Sequence, residues 1–223
     1  MVCEEGLGNR KWNLGILEEG IIPMTSVAHL NRKPRPSNGF STIELAVTLG
    51  IILVVTAIAI PSFLNTYRMY QLSDAASRVA GILKSTRLEA IRRNTPVPCM
   101  ITQTAAIPPL TRIWTDSNKD SAEDPGDARV HLTDAVNLIG AGSVPGTGAL
   151  AAAVGAQTLT TPPLANATIN FDQRGAGNVN AVYSLYIANS NALDIGYRAL
   201  ILFPSGSIQI WQADGQGNWR FLK

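Results

Sequence analysis

The chain has 223 residues, of which 46% are apolar and only 15% charged, with a formal net charge of +2. That length holds one ordinary domain plus an appendage. The mean hydropathy of +0.11 argues that part of the chain meets lipid, and near-neutrality excludes a whole-chain electrostatic footprint for nucleic acid. The two cysteines, Cys3 and Cys99, allow one disulfide at most, and none if the N-terminal segment is removed.

Residues 1–22 carry no assignable pattern, and the basic cluster Arg32-Lys33-Pro34-Arg35 comes after them. From 45 to 67 there is no charged side chain, and 40–64 form a largely apolar run. As a helix this run is ~37 Å long, enough to cross a hydrocarbon core of about 30 Å. With the basic cluster before it, the positive-inside rule keeps the N-terminal end in the cytoplasm and exports the chain beyond the helix.

Three readings compete for the run. A secretory signal would be cut after Ala57-Ile58-Ala59, but its leader would be very long and Glu44 would sit at the entrance of its apolar region. A plain membrane anchor fits the length but leaves Glu44 unexplained, since a carboxylate at the centre of a membrane helix costs roughly 2.5–3.5 kcal/mol. The third reading starts from Ser37-Asn38-Gly39-Phe40-Ser41-Thr42-Ile43-Glu44-Leu45. This stretch resembles the type III signal of type IV prepilins, a Gly-Phe bond followed by Ser/Thr, an apolar residue, Glu and Leu. The resemblance implies removal of 1–39 as a leader, with cleavage between Gly39 and Phe40 by a prepilin peptidase and N-methylation of Phe40. It further implies a single-pass subunit of the bacterial inner membrane with its head in the periplasm. Its partners would be other pilins or pseudopilins and an inner-membrane assembly platform, in a filament. Glu44 is then expected to pair with the new amine of a neighbouring subunit's first residue. Pro61, where the family often bends its helix, removes one backbone donor and is expected to kink or loosen the helix. Because such leaders are usually short, Met24 is expected to be the translation start, with a genuine long leader as the alternative.

Beyond the apolar run the helical pattern continues in amphipathic form. Leu72, Ala75, Ala76, Val79, Ile82, Leu83, Thr86, Ala90 and Ile91 recur at three- and four-residue steps, with charged residues on the other faces. The helix should end near Asn94, before Thr95-Pro96. Strands are expected at 97–102, 112–115, 129–132, 168–171, 182–188, 198–203, 207–212 and 219–222, the last-but-two and last-but-one forming a hairpin around Pro204-Ser205-Gly206. The stretch 140–163, rich in Gly, Ala, Thr and Pro without periodicity, reads as an exposed, mobile loop. The expected fold is α+β: a long hydrophobic N-terminal helix whose second half packs on an antiparallel sheet, with 40–64 as the membrane or filament half and 65–223 as the head, a pilin fold by resemblance.

A finer resemblance lies in the head. Leu83-Lys84-Ser85-Thr86-Arg87-Leu88-Glu89-Ala90-Ile91-Arg92-Arg93-Asn94-Thr95-Pro96-Val97 resembles the helix end of the minor pseudopilins called type II secretion protein H and of the related fimbrial protein T. Ile113-Trp114-Thr115-Asp116-Ser117-Asn118-Lys119-Asp120, followed by Asp124-Pro125-Gly126-Asp127, and Ile169-Asn170-Phe171-Asp172-Gln173-Arg174-Gly175 are similar to two later landmarks of that family. The resemblance implies a minor subunit that primes or tips a filament, either a type II secretion pseudopilus or a type IV pilus active in priming or DNA uptake.

Two further clusters bear on ligands. Asp116, Asn118, Asp120, Asp124 and Asp127 fall at positions 1, 3, 5, 9 and 12 of an EF-hand-like loop, a supply of hard oxygen ligands for Ca²⁺. Against that, position 6 is Ser121 rather than Gly and position 12 is Asp rather than Glu, as in an ordinary acidic turn. Arg87, Arg92 and Arg93, with Arg220 and Lys223 beside Trp219, offer a basic and aromatic set for nucleic acid. The 13 basic and 12 acidic residues left after the leader favour solvated faces instead. No His/Cys grouping suits zinc, and Ser205 and Ser207 lack a hydrolase elbow, so the expectation is a chain that is not an enzyme.

Overall fold

A computed structural model describes residues 39–107, 109–132, 135–177 and 181–222. The expected leader with its basic cluster, Cys3, His29 and the Met24 start, and also Lys223, lie outside the described residues. The chain divides into two compact units, Met1–Ala46 and Val47–Lys223. Of the first, residues 39–46 are described, and they carry the first turn of the long helix α1, Thr42–Arg93.

α1 is stabilised at both ends by its charges, Glu44 in the first turn and Arg92 and Arg93 in the last, each opposite in sign to the helix-dipole end it occupies. It starts two residues after the expected Phe40 and ends one before Asn94. Asn94 adopts φ 51°, a left-handed turn that asparagine tolerates better than most residues. There the Thr95 N–H reaches back to the Ala90 carbonyl at 3.2 Å, and Pro96 stops the helix. Burial within α1 runs from Leu72 to Ala90: Leu72, Ala75, Ala76, Val79, Ala80, Ile82, Leu83, Thr86 and Ala90. Ile91, expected in this stripe, is instead 43% exposed.

The fold is α+β with one long apolar N-terminal helix and antiparallel sheets. The expected single sheet is two. One has the order β3-β2-β1-β6, from Arg129–Leu132, Thr111–Thr115, Val97–Gln103 and Asn166–Phe171. The other runs β10-β9-β8-β7-β4, from Trp219–Leu222, Ile208–Ala213, Tyr197–Leu202, Val182–Asn189 and Val136–Ile139. A short β5, Leu159–Thr160, adds to β7 in parallel. Both sheets turn one face to α1. Val97, Cys99 and Ile101 from β1, Ile169 and Phe171 from β6, Leu185 and Ile187 from β7, and Leu200 and Leu202 from β8 join the helix stripe in one core. Their period of two is that of a pleated strand with one face buried.

The segment 140–163 corrects the sequence reading. It is not a mobile loop: it holds the helix α2, Thr147–Val154, and β5, and it covers the second face of the larger sheet. Val144 and Leu150 pack there with Tyr186, Ala188, Tyr197, Ala199 and Ile201. β7 and β8 are therefore buried on both faces, which is why Leu185 to Ala188 and Ala199 to Leu202 are unbroken apolar runs without alternation.

Candidate functional site

In the first unit Phe40 is 82% exposed and Ile43 and Leu45 are also exposed, with the Leu45 N–H bonded to the Ser41 carbonyl at 3.1 Å as the helix begins. Gly39 lies just before the helix, with open space where a Cβ would stand. The Gly39–Phe40 bond thus sits in non-helical, exposed backbone, and Glu44 is exposed in the first helical turn.

Within the second unit every residue of 47–67 is exposed, including Val47, Leu49, Ile51, Ile52, Leu53 and Val54. A continuous exposed apolar surface of this kind marks a site of contact with lipid or with another protein. α1 is the one helix among the described residues long and apolar enough to cross a membrane, and its most apolar window is wholly unburied. The helix runs through Pro61 without a break.

The acidic loop between β2 and β3 is organised by its own backbone. Asp116 is buried, its Oδ1 accepting from the Lys119 N–H at 2.7 Å and its Oδ2 from the Ser121 N–H at 3.0 Å. Lys119 and Ser121 both take φ 64° to aim those donors. Asp127 accepts from the N–H groups of Asp124 and Ser117, and Asp120 from that of Ala122. Asn118 donates its amide to Asp120 at 2.9 Å and to Asp124 at 2.7 Å. The five residues singled out in the sequence are brought together, but with their oxygens engaged by N–H groups. Among the described residues no group of three His, Cys, Asp or Glu side chains is placed to hold a metal ion.

The described basic residues are not gathered into one site. Arg92 and Arg93 both pair with Glu89, whose carboxyl the Arg92 hydrogen bond, with Arg93 and their charges, holds below the usual range. Arg93 also donates to the Ser117 carbonyl at 2.9 Å. Arg87 lies under two turns. A Cβ on Gly175, at φ 78°, would approach its Nε to 2.9 Å, and a Cβ on Gly206 would collide with the Gly175 carbonyl at 1.9 Å. That mutual fit of the Asp172 to Gly175 turn and the β8–β9 turn explains Gly175 of the sequence landmark and Gly206 of the hairpin turn. Trp219 donates to the Pro145 carbonyl at 3.3 Å and lies 6.1 Å from the Tyr186 ring, at a tilt of 55°. Arg220 lines a different pocket, with Met69 and Arg198.

Sequence reasoning missed two polar features. Glu123, largely buried, receives His131 Nε2 at 2.6 Å and lies 3.5 Å from Arg129 and 3.9 Å from Arg112, tying β2 and β3 to the acidic loop. Arg198 is buried in β8, and the signal was available: one charge within Tyr197-Arg198-Ala199-Leu200-Ile201-Leu202. Cys99 is fully buried, and burial pushes its thiol up to about 12. Comparison with known proteins found no matching family model, no matching curated protein and no matching solved structure.

Proposed function

We propose that the chain is a minor pseudopilin of a type II secretion system. It is cleaved between Gly39 and Phe40 by a prepilin peptidase and held in the inner membrane by the first half of α1, with its head in the periplasm. It then joins a pseudopilus with other pseudopilins. The observation that carries this reading is the bipartite α1: an exposed, uncharged apolar stretch that continues into the core helix of an α+β head, with Gly39-Phe40 and Glu44 at its beginning. A signal peptide would be discarded before the helix joined a head, and a plain anchor has no use for Glu44.

Charge gives the route to assembly. Cleavage creates an amine at Phe40, and in a filament core both that cation and Glu44 lose water. Pairing one subunit's carboxylate with its neighbour's amine offsets both desolvation costs and sets the axial stagger. Removing one partner of a buried pair costs on the order of 3–5 kcal/mol, whereas a plain anchor would insert better without the charge. Glu44→Leu is therefore expected to leave insertion and cleavage intact while reducing cross-linking to other subunits and either secretion or piliation. Loss of piliation with intact secretion would move the chain to a type IV pilus. Cross-linking, secretion and piliation all equal to the parent would refute the pairing role.

A further inference from the structure

The two ends of β2 lead into turns of opposite character. After Thr115 comes the acidic loop, where residues 116–127 include Asp116, Lys119, Asp120, Glu123, Asp124 and Asp127. Before Thr111 comes Thr104-Ala105-Ala106-Ile107-Pro108-Pro109-Leu110, which carries no charge. The Thr104 N–H donates to the Leu110 carbonyl at 3.0 Å, closing this hairpin, and Ile107 beyond that bond is 99% exposed. Among the described residues no other large apolar side chain is as exposed.

The direction of β2 fixes where each turn lies. The Thr115 hydroxyl is 2.6 Å from that of Thr86, and Arg93 donates to the Ser117 carbonyl at 2.9 Å, so the acidic loop stands at the C-terminal end of α1. The Ile107 turn therefore stands at the other end of the head, toward the exposed apolar half of the helix. Leu132, opposite Thr111 in register, agrees with this by lining a groove with Tyr67, Tyr70 and Asp74. The stretch from Thr115 back to Ile107 covers roughly 24 Å, slightly under full strand extension. That length equals about 16 helical residues, which carries the tip from the level of Thr86 to that of Tyr70. The second sheet also sends turns to this end, since Arg198 meets Ser73, and Ile195 and Asp214 share a pocket with Met69. Those turns carry Asp194 and Asp214, so the uncharged turn belongs to the first sheet alone.

Charge and position together identify what the tip meets. Tyr70 lies ~9 Å along the helix past Leu64, and the headgroup layer is about 5–7.5 Å thick. Membrane helices lean about 20° on average, and at about 10 Å from the axis, the usual spacing of packed layers, a lean toward the turn lowers it by roughly 3.5 Å. That lean brings Ile107 into the headgroup layer. The acidic turns lie across β3 and β4 from it and are lowered less. A carboxylate stays in water, whereas an uncharged apolar tip gains by leaving it. Tyr67 and Tyr70, 51% and 72% exposed, mark the same level on the helix, and tyrosines favour a membrane interface. We propose that the head leans on the lipid surface through Ile107, making the β1–β2 turn a second membrane contact beside the span. This contact stops the head from turning freely about the helix axis, so that one face is presented to incoming subunits. The inference rests on the membrane reading above.

The test places nitroxide labels on the full chain in phosphatidylcholine liposomes, at Ala106→Cys beside the tip and at Ala122→Cys in the acidic loop. Cys3→Ser removes one native thiol, and Cys99 is buried. Oxygen partitions into apolar surroundings, so the ratio of relaxation by oxygen to relaxation by a water-soluble nickel chelate is expected to be about threefold or more higher at 106 than at 122. Ile107→Asp, at a site too exposed to disturb the fold, is expected to bring the ratio at 106 down to that at 122. Equal ratios at 106 and 122 in the parent, or a ratio at 106 that Ile107→Asp does not move, overturn the proposal. Loss of access to both relaxants at 106 would mean that another subunit covers the turn, and overturns it as well. A label at Thr56→Cys in the apolar half is read separately. A water-like ratio there defeats the membrane reading, while a lipid-like ratio at 56 with a water-like one at 106 defeats the Ile107 contact alone.

Discussion

Truncating Leu150 to alanine tests the two-faced sheet. Leu150 is 0% exposed, and it and Ala151 are the buried residues of α2, so it anchors that eight-residue helix on the outer face of β7 and β8. Leucine-to-alanine changes at fully buried sites cost about 2–5 kcal/mol, the lost transfer energy plus a cavity term. For a chain of this size that corresponds to a fall in Tm of roughly 5–15 °C. The assay is guanidinium unfolding of the full chain in mild detergent, monitored by tryptophan fluorescence, with Trp211 and Trp219 packed against the same core. Leu88→Ala, on an exposed face of α1, is the control and should move stability by no more than about 0.5 kcal/mol. If Leu150→Ala is as mild as the control, residues 140–163 do not pack on the sheet and the second core is wrong.

Cys99 should resist alkylation in the folded chain. With its thiol pushed up to about 12, labelling of the Cys99 peptide at pH 8 should be on the order of 10³-fold slower than after unfolding, and equal rates would contradict its burial. Asp116→Ala should lose about 1–3 kcal/mol, because two loop N–H groups lose their acceptor. That loss should be the same in EDTA and in millimolar Ca²⁺. A Tm that rises with Ca²⁺ but not Mg²⁺ in the parent, and not in Asp116→Ala, would make the loop a cation site instead.

The long helix was legible because two patterns meet in it, an uncharged run and then a three- and four-residue stripe, and Leu72 to Ala90 bury as that stripe requires. Eight strands were legible from β-branched and apolar clusters bounded by turns, to within two residues at their ends. α2 was not, because Thr147-Gly148-Ala149-Leu150-Ala151-Ala152-Ala153-Val154 has only Leu150 and Val154 as large apolar residues, a single i,i+4 pair too short to stand out among glycine and alanine. Its bounds are set by Gly146 and Gly155 in left-handed conformations, which in sequence look like loop glycines. The missed cover was nonetheless implied. Ala199 to Leu202 has no polar alternation, and a strand of that kind needs a layer on each side. The acidic loop shows the reverse limit: spacing brought five oxygen-bearing side chains to one place, but not the backbone donors that claim them.

The central claim is that Phe40 begins the working subunit. Its most direct test is intact-mass and N-terminal analysis of the chain recovered from membranes of a host with a prepilin peptidase, beside the same host lacking it. The account predicts a chain starting at Phe40 and bearing one added methyl group, and a longer precursor when the peptidase is absent. A start near Ile60, or an N-terminus that does not change with the peptidase, would contradict it.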